Sequence, residues 1–149
     1  VKDLTKINNQ DYYILENKND PSLKISLPTK EEKALLRPLS TFSEITKVLD
    51  NINSIKTLDL NERNLEEQYK SLLQGNTLED LIIIIKTTYL RNEIRKSNKK
   101  HLSDKDTFYK ELAENYLFNE VAYSMQISYD NAKELVLNKL AISVYQKEI

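Results

Sequence analysis

The chain has no cysteine, no tryptophan and a single glycine among its 149 residues. Without cysteine there is neither a disulfide nor a thiolate metal site, a composition that fits a cytoplasmic protein. The glycine count excludes more. Phosphate-cradling loops and nucleophile elbows place glycine where backbone must approach closely, so those enzyme classes are nearly excluded. The one histidine, His101, has no second imidazole or thiol with which to build a zinc site, and it reads as a solvated loop residue. No stretch approaches the roughly 18 consecutive apolar residues of a membrane span, and no segment has the pattern of a signal peptide. A net charge of −1 argues against nonspecific coating of nucleic acid, although a local basic patch remains compatible with it. The expectation is a protein with no catalytic group, no metal, no cofactor and no small-molecule substrate.

What is present is enough for a packed core: 40% of the residues are hydrophobic and 30% are charged. The stretch 75–96, GNTLEDLIIIIKTTYLRNEIRK, organises the rest. Its run Leu81-Ile82-Ile83-Ile84-Ile85 is too apolar to face water, and a short apolar run alone does not separate strand from helix. The flanks decide for helix, because Leu78, Leu81, Ile82, Ile85 and Tyr89 recur at helical spacing. Gly75 is placed to end a preceding helix, and Asn76 or Thr77 to cap the next. Thr77 and Asp80 have capping-box spacing. The spacing predicts one long helix, buried in its first half and projecting in its second.

Before it, residues 1–28 read as strands. Tyr12-Tyr13-Ile14-Leu15 is β-prone, Leu23-Lys24-Ile25-Ser26-Leu27 alternates with period two, and Asn8-Asn9-Gln10-Asp11 and Asn17-Lys18-Asn19-Asp20-Pro21-Ser22 carry turn chemistry. The chain starts at Val1 in mid-pattern without a methionine, so a preceding segment is expected to belong to it. Leu36-Arg37-Pro38-Leu39 marks a boundary, since proline disfavours helix in the residue before it. A helix capped by Ser40 or Thr41 should then turn Phe42, Ile45, Val48, Leu49 and Ile52 inward. After a polar connection, a helix over 61–74 should bury Leu65, Tyr69, Leu72 and Leu73. Ser103, with Asp106 in the box position, opens a helix carrying Tyr109, Leu112, Tyr116, Leu117 and Val121. A break at Gln126-Ile127-Ser128 leads to a last helix with Ala132, Leu135, Val136, Leu140 and Val144. The fold class is therefore α+β, mostly α: a short β segment over 1–38, then a helical domain of about five helices over 39–149.

Three signals bear on chemistry. The paired acids Glu66 and Glu67, and Asp104 and Asp106, fall on first helical turns, where they complement the helix dipole. Lys86, Arg91, Arg95, Lys96, Lys99 and Lys100 form a basic run interrupted by Glu93; it either holds phosphates or solvates a helix end. Residues 119–140 have the outline of a helix-turn-helix. In its second helix, however, Asp130, Asn131 and Glu134 interleave with Lys133 and Lys139, so no net positive face results, as in a plain αα-hairpin.

The order of these pieces resembles the CarD family of bacterial RNA-polymerase-binding regulators. The resemblance rests on Tyr12-Tyr13-Ile14-Leu15, Leu23-Lys24-Ile25-Ser26-Leu27-Pro28 and Leu36-Arg37-Pro38-Leu39. It continues through Arg63, Gln74-Gly75-Asn76, Leu90-Arg91 and Leu102-Ser103, and so spans nearly the whole chain. It implies a Tudor-like N-terminal domain, incomplete here, that docks on the polymerase β subunit, with Lys6, Tyr12, Lys24 and Ser26 as the candidate contacts. It also implies a helical domain that approaches promoter DNA beside the melted bubble and modulates open-complex stability. Asn61, Arg63, Arg91, Arg95 and Lys96 are the candidate DNA contacts, weak and dependent on the polymerase. The chain departs from the family in three places. The opening strands with their glycines are absent, the family's tryptophan wedge falls on Asn61, and a basic position one turn later falls on Glu66. Two other classes remain open: an interaction module of another pathway, and a helix-turn-helix DNA binder using 119–140.

Overall fold

Alternation with period two puts every second side chain on one face of a strand. The computed structural model describes residues 3–7, 10–16, 22–29, 37–60 and 63–147, and in it the N-terminal alternation becomes a three-stranded antiparallel sheet. The strands are β1 (Asp3–Ile7), β2 (Gln10–Glu16) and β3 (Lys24–Pro28), in the order β1-β2-β3. Leu4 stands opposite Tyr13, Tyr13 opposite Leu27, and Leu15 opposite Ile25. This register sets Leu4, Leu15, Ile25 and Leu27 on one face. Leu27 is buried, whereas Leu4 and Ile25 are exposed. Of the predicted turn Asn8-Asn9-Gln10-Asp11, Gln10 and Asp11 instead open β2, paired with Ile7 and Lys6. Asn8, Asn9, residues 17–21 of the second predicted turn and Leu36 of the predicted boundary lie outside the described residues, and Ser22 is in a turn.

The chain divides into two compact units, Val1–Leu39 and Ser40–Ile149. The second is helical: α1 (Phe42–Asp50), a single 3-10 turn (Ile52–Ser54), α2 (Leu65–Gly75), α3 (Leu78–Ser97), α4 (Asp104–Met125) and α5 (Tyr129–Lys147). Four N-termini are closed by a hydroxyl that accepts the amide three residues ahead, Ser128 doing so for Asn131 at the start of α5. Thr41 takes Glu44 N at 3.1 Å, Thr77 takes Asp80 N at 3.1 Å, and Ser103 takes Asp106 N at 3.2 Å. At Thr77 the Asp80 carboxylate also accepts the Thr77 amide, completing the box.

Gly75 does not supply the left-handed turn that ends α2. It is the last helical residue, and Asn76 takes the positive φ of 51°. Asparagine tolerates this region better than most side chains. A Cβ at Gly75 would meet the Asp80 carboxylate, so a larger residue there requires that side chain to shift.

The core is one cluster around α3. Ile45, Leu49 and Ile52, Leu65 and Tyr69 of α2, and Leu117, Phe118 and Val121 of α4 belong to it, and Ala132, Val136 and Leu140 of α5 join it, α5 packing chiefly on α4, the 3-10 turn and α1. Because neighbours surround it, α3 is apolar on nearly every side rather than along one stripe. Its burial does not stop at the midpoint: Lys86, Thr87, Thr88 and Asn92 are buried as well. Three residues expected inside are outside: Phe42, the first residue of α1, is 59% exposed, Tyr89 39% and Tyr116 45%. Val144 is not among the described side chains. Within the described residues, no helix is long and apolar enough to cross a membrane.

Candidate nucleic-acid interface

A lysine or arginine drawn into a core must deliver its donors to acceptors that have none. The helical unit supplies such acceptors in the connection between α1 and α2: the Ile52 carbonyl, which takes only the Ile55 amide of the 3-10 turn, at 3.3 Å, has a lone pair to spare, and Ile55 and Leu60 lie outside any helix. Lys86 Nζ donates to the Ile52 and Ile55 carbonyls at 2.8 and 2.7 Å. The Leu58 amide donates to Thr87 Oγ1 at 3.0 Å, and Arg91 Nη1 donates to the Leu60 carbonyl. Arg91 Nε also donates to Asp106 Oδ2 at 2.8 Å, with side-chain exposures of 20% and 4%. The Tyr69 hydroxyl donates to Asp106 Oδ1 at 3.0 Å. Burial, reinforced by the Asp106 charge, pushes the Tyr69 phenol well above its ordinary pKa, so it remains a neutral donor.

Two sequence assignments change here. Lys86 is not part of a solvated basic run, because it is 1% exposed and bound to backbone. Asp106 is more than a dipole complement: it is buried between a phenol and a guanidinium from two other helices.

Beyond Asn92, α3 emerges into solvent. Lys99 takes a positive φ of 54°, and this turn sends the Lys100 amide back to the Arg95 carbonyl at 2.8 Å. Lys100 thereby comes beside Arg95. Leu60, Arg91, Ile94, Arg95, Asn98 and Lys100 line a cleft of about 240 Å3, with three cations and no carboxylate among these lining residues.

Of the DNA-contact candidates, Arg91 and Arg95 share this cleft. Lys96 does not line it, and its exposed ammonium pairs with Glu93 at 3.3 Å. Arg63 is exposed in the turn before α2, three residues after the anchored Leu60. Asn61 lies outside the described residues. Glu66 pairs with Lys105 at 3.1 Å, and that hydrogen bond and charge hold its carboxyl below the usual range, so its negative charge is locally matched. Sequence reasoning missed Leu60 and Asn98 as parts of the cleft. No local pattern marks them; a turn closed by Lys99 and a carbonyl held from 31 residues away bring them there.

Of the polymerase-contact candidates, Tyr12, Lys24 and Ser26 fall on one face of the sheet by register, and Lys6 falls on the other, opposite Asp11. Lys6, Lys24 and Ser26 are exposed and Tyr12 is half-buried.

No protein-family model matches the chain, and no curated protein sequence matches it.

The helix-turn-helix segment closes as a hairpin. Gln126 takes the left-handed turn at φ 59°, and Ser128 Oγ accepts the Asn131 amide at 3.0 Å. In α5, Ala132, Val136 and Leu140 face the core, while Asp130, Asn131, Lys133 and Glu134 are exposed. Lys139 pairs with Asp50 at 3.3 Å. The exposed face is of mixed charge, unlike a groove-reading helix.

Proposed function

We propose that the chain is a CarD-like, non-enzymatic transcription regulator. Its β unit docks on the RNA polymerase β subunit, and its helical unit acts on promoter DNA through phosphate contacts that modulate open-complex stability. The observation that carries this reading is the cleft of Arg91, Arg95, Asn98 and Lys100, built on Leu60 just ahead of Arg63. Arg63 matches the family's residue two positions after the DNA wedge. A concave site with three cations and an amide donor fits a backbone phosphate. Since Arg91 is committed to Asp106 and Leu60, Arg95 and Lys100 are the cleft cations that reach the phosphates, and Arg63 joins them on the resemblance alone.

Phosphate contacts carry little sequence information, and a net charge of −1 gives the free protein little attraction for DNA. The polymerase therefore supplies the location. The test is open-complex lifetime with purified polymerase at two salt concentrations. Arg95→Ala and Lys100→Ala should each weaken the protein's effect, and each should lower the slope of the log–log salt dependence by about one. Asn61→Trp, restoring the family's wedge, should strengthen it. Removal of residues 1–39 should abolish pull-down of polymerase while the helices keep their circular dichroism. Retained pull-down would move the docking surface to the helical unit. No effect of the intact protein on lifetime would defeat the DNA reading.

A further inference from the structure

The contacts from α3 to the connection ahead of α2 form a ladder. Lys86 takes the carbonyls of Ile52 and Ile55, Thr87 takes the amide of Leu58, and Arg91 takes the carbonyl of Leu60. Every rung joins a side chain to backbone, so the ladder fixes the path of a segment whose only regular structure is the 3-10 turn Ile52–Ser54. The last rung extends further. The guanidinium that holds Leu60 is itself held through Nε by Asp106, whose other oxygen accepts from Tyr69. A guanidinium is a rigid planar fork, so fixing Nε also fixes the direction in which Nη1 points. Asp106 is fixed in turn by its place in the first turn of α4 and by the phenol from α2. Side chains of three helices thus converge on one carbonyl, three residues before Arg63.

We infer that Asp106 is a positioning residue: it aims Arg91 at the Leu60 carbonyl and so holds the turn that carries Arg63, and Arg91 serves as a clamp rather than a phosphate contact. For its effect on DNA, this rests on the function proposed above. A simpler account makes Arg91 a phosphate-binding charge and Asp106 a counter-charge that weakens it. The two accounts predict opposite signs. Asp106→Asn removes a negative charge beside the cleft, and on field grounds alone DNA attraction would rise. If Asp106 positions the turn, the same substitution lowers the effect on DNA, although the side chain is nearly unchanged in shape.

Two measurements on the full chain decide the matter. In the free protein, amide exchange at Leu58 reports opening of the held segment. In Asp106→Asn and in Arg91→Lys it should rise about tenfold or more, as expected when a hydrogen bond to a charged group is lost. Unchanged exchange at Leu58 overturns the inference. With purified polymerase, Asp106→Asn should reduce the effect on open-complex lifetime about as much as Arg63→Ala. Arg91→Lys should do the same although it keeps the charge, because an ammonium cannot grip Asp106 and Leu60 as a fork does. A stronger effect from Asp106→Asn, or a wild-type effect from Arg91→Lys, overturns the positioning role. If the wild-type protein leaves the lifetime unchanged, the proposed function fails, and exchange at Leu58 alone decides whether Asp106 holds the turn.

Discussion

Replacing Lys86 tests how the irregular half of the helical unit is held. The ammonium is 1% exposed and gives two short hydrogen bonds to main-chain carbonyls. Lys86→Met keeps most of the stem and removes only the charged end. Each hydrogen bond to a charged donor contributes about 1.5–3 kcal/mol net, and each carbonyl left dry costs about 1–3 kcal/mol. Against this, the native state no longer has to desolvate an ammonium, a penalty of several kcal/mol. We expect the balance to leave Lys86→Met destabilised by about 1–3 kcal/mol. Lys86→Ala also removes three buried methylenes at about 0.8 kcal/mol each and leaves a cavity, so its loss should reach about 3–5 kcal/mol. Urea unfolding at pH 7, followed by helical circular dichroism, measures both against Lys96→Ala. That residue is 60% exposed, and its removal should stay within about 0.5 kcal/mol. A Lys86→Met variant as stable as the parent would refute the reasoning. It would mean that the bonds do no more than offset desolvation and that packing alone holds the segment.

Further outcomes follow from the packing, the caps and the buried phenol. Ile82 is 0% exposed, so Ile82→Ala should cost about 2–5 kcal/mol and lower the thermal midpoint strongly. Gln126 is exposed and takes a left-handed φ of 59°, so Gln126→Gly should raise stability by about 0.5–1 kcal/mol in the same urea assay. The pKa of Tyr69 is raised in the folded state above an unfolded value of about 10, so the unfolded chain gives up its proton first. Stability should be unaffected by this group below about pH 10 and fall as pH rises beyond it. Unfolding curves between pH 9 and 11.5 should show a shallower alkaline loss in Tyr69→Phe.

The parts of this fold legible in the sequence are those in which a residue's partner lies within one helical turn. Thr41, Thr77 and Ser103 each accept an amide three residues ahead, so their spacing alone identified the starts of α1, α3 and α4. Most of the inward faces of α4 and α5 followed from 3.6-residue periodicity, Tyr116 being the exception among the described side chains, and the strands followed from period two. The candidate site was less legible because its bonds join residues far apart. Asp106 occupies a capping-box position, which suffices locally to explain an acid there. Its side chain instead bonds Tyr69, 37 positions away, and Arg91, 15 positions away.

Lys86 shows why periodicity failed where it did. A helix with a polar stripe sends its charged residues to water, and the basic run was read on that premise. The run Leu81-Ile82-Ile83-Ile84-Ile85 leaves α3 no such stripe, since a helix that apolar must be surrounded. A lysine following directly on that run then has no exit, and its donors must find carbonyls inside. The neighbouring segment with carbonyls to spare is the connection between α1 and α2, because helices and sheets consume their own. The all-round apolarity of α3 and the lack of pattern in residues 51–59 are therefore complementary features. The buried donors of one require the spare backbone acceptors of the other, and their meeting places Leu60 against the basic end of the helix.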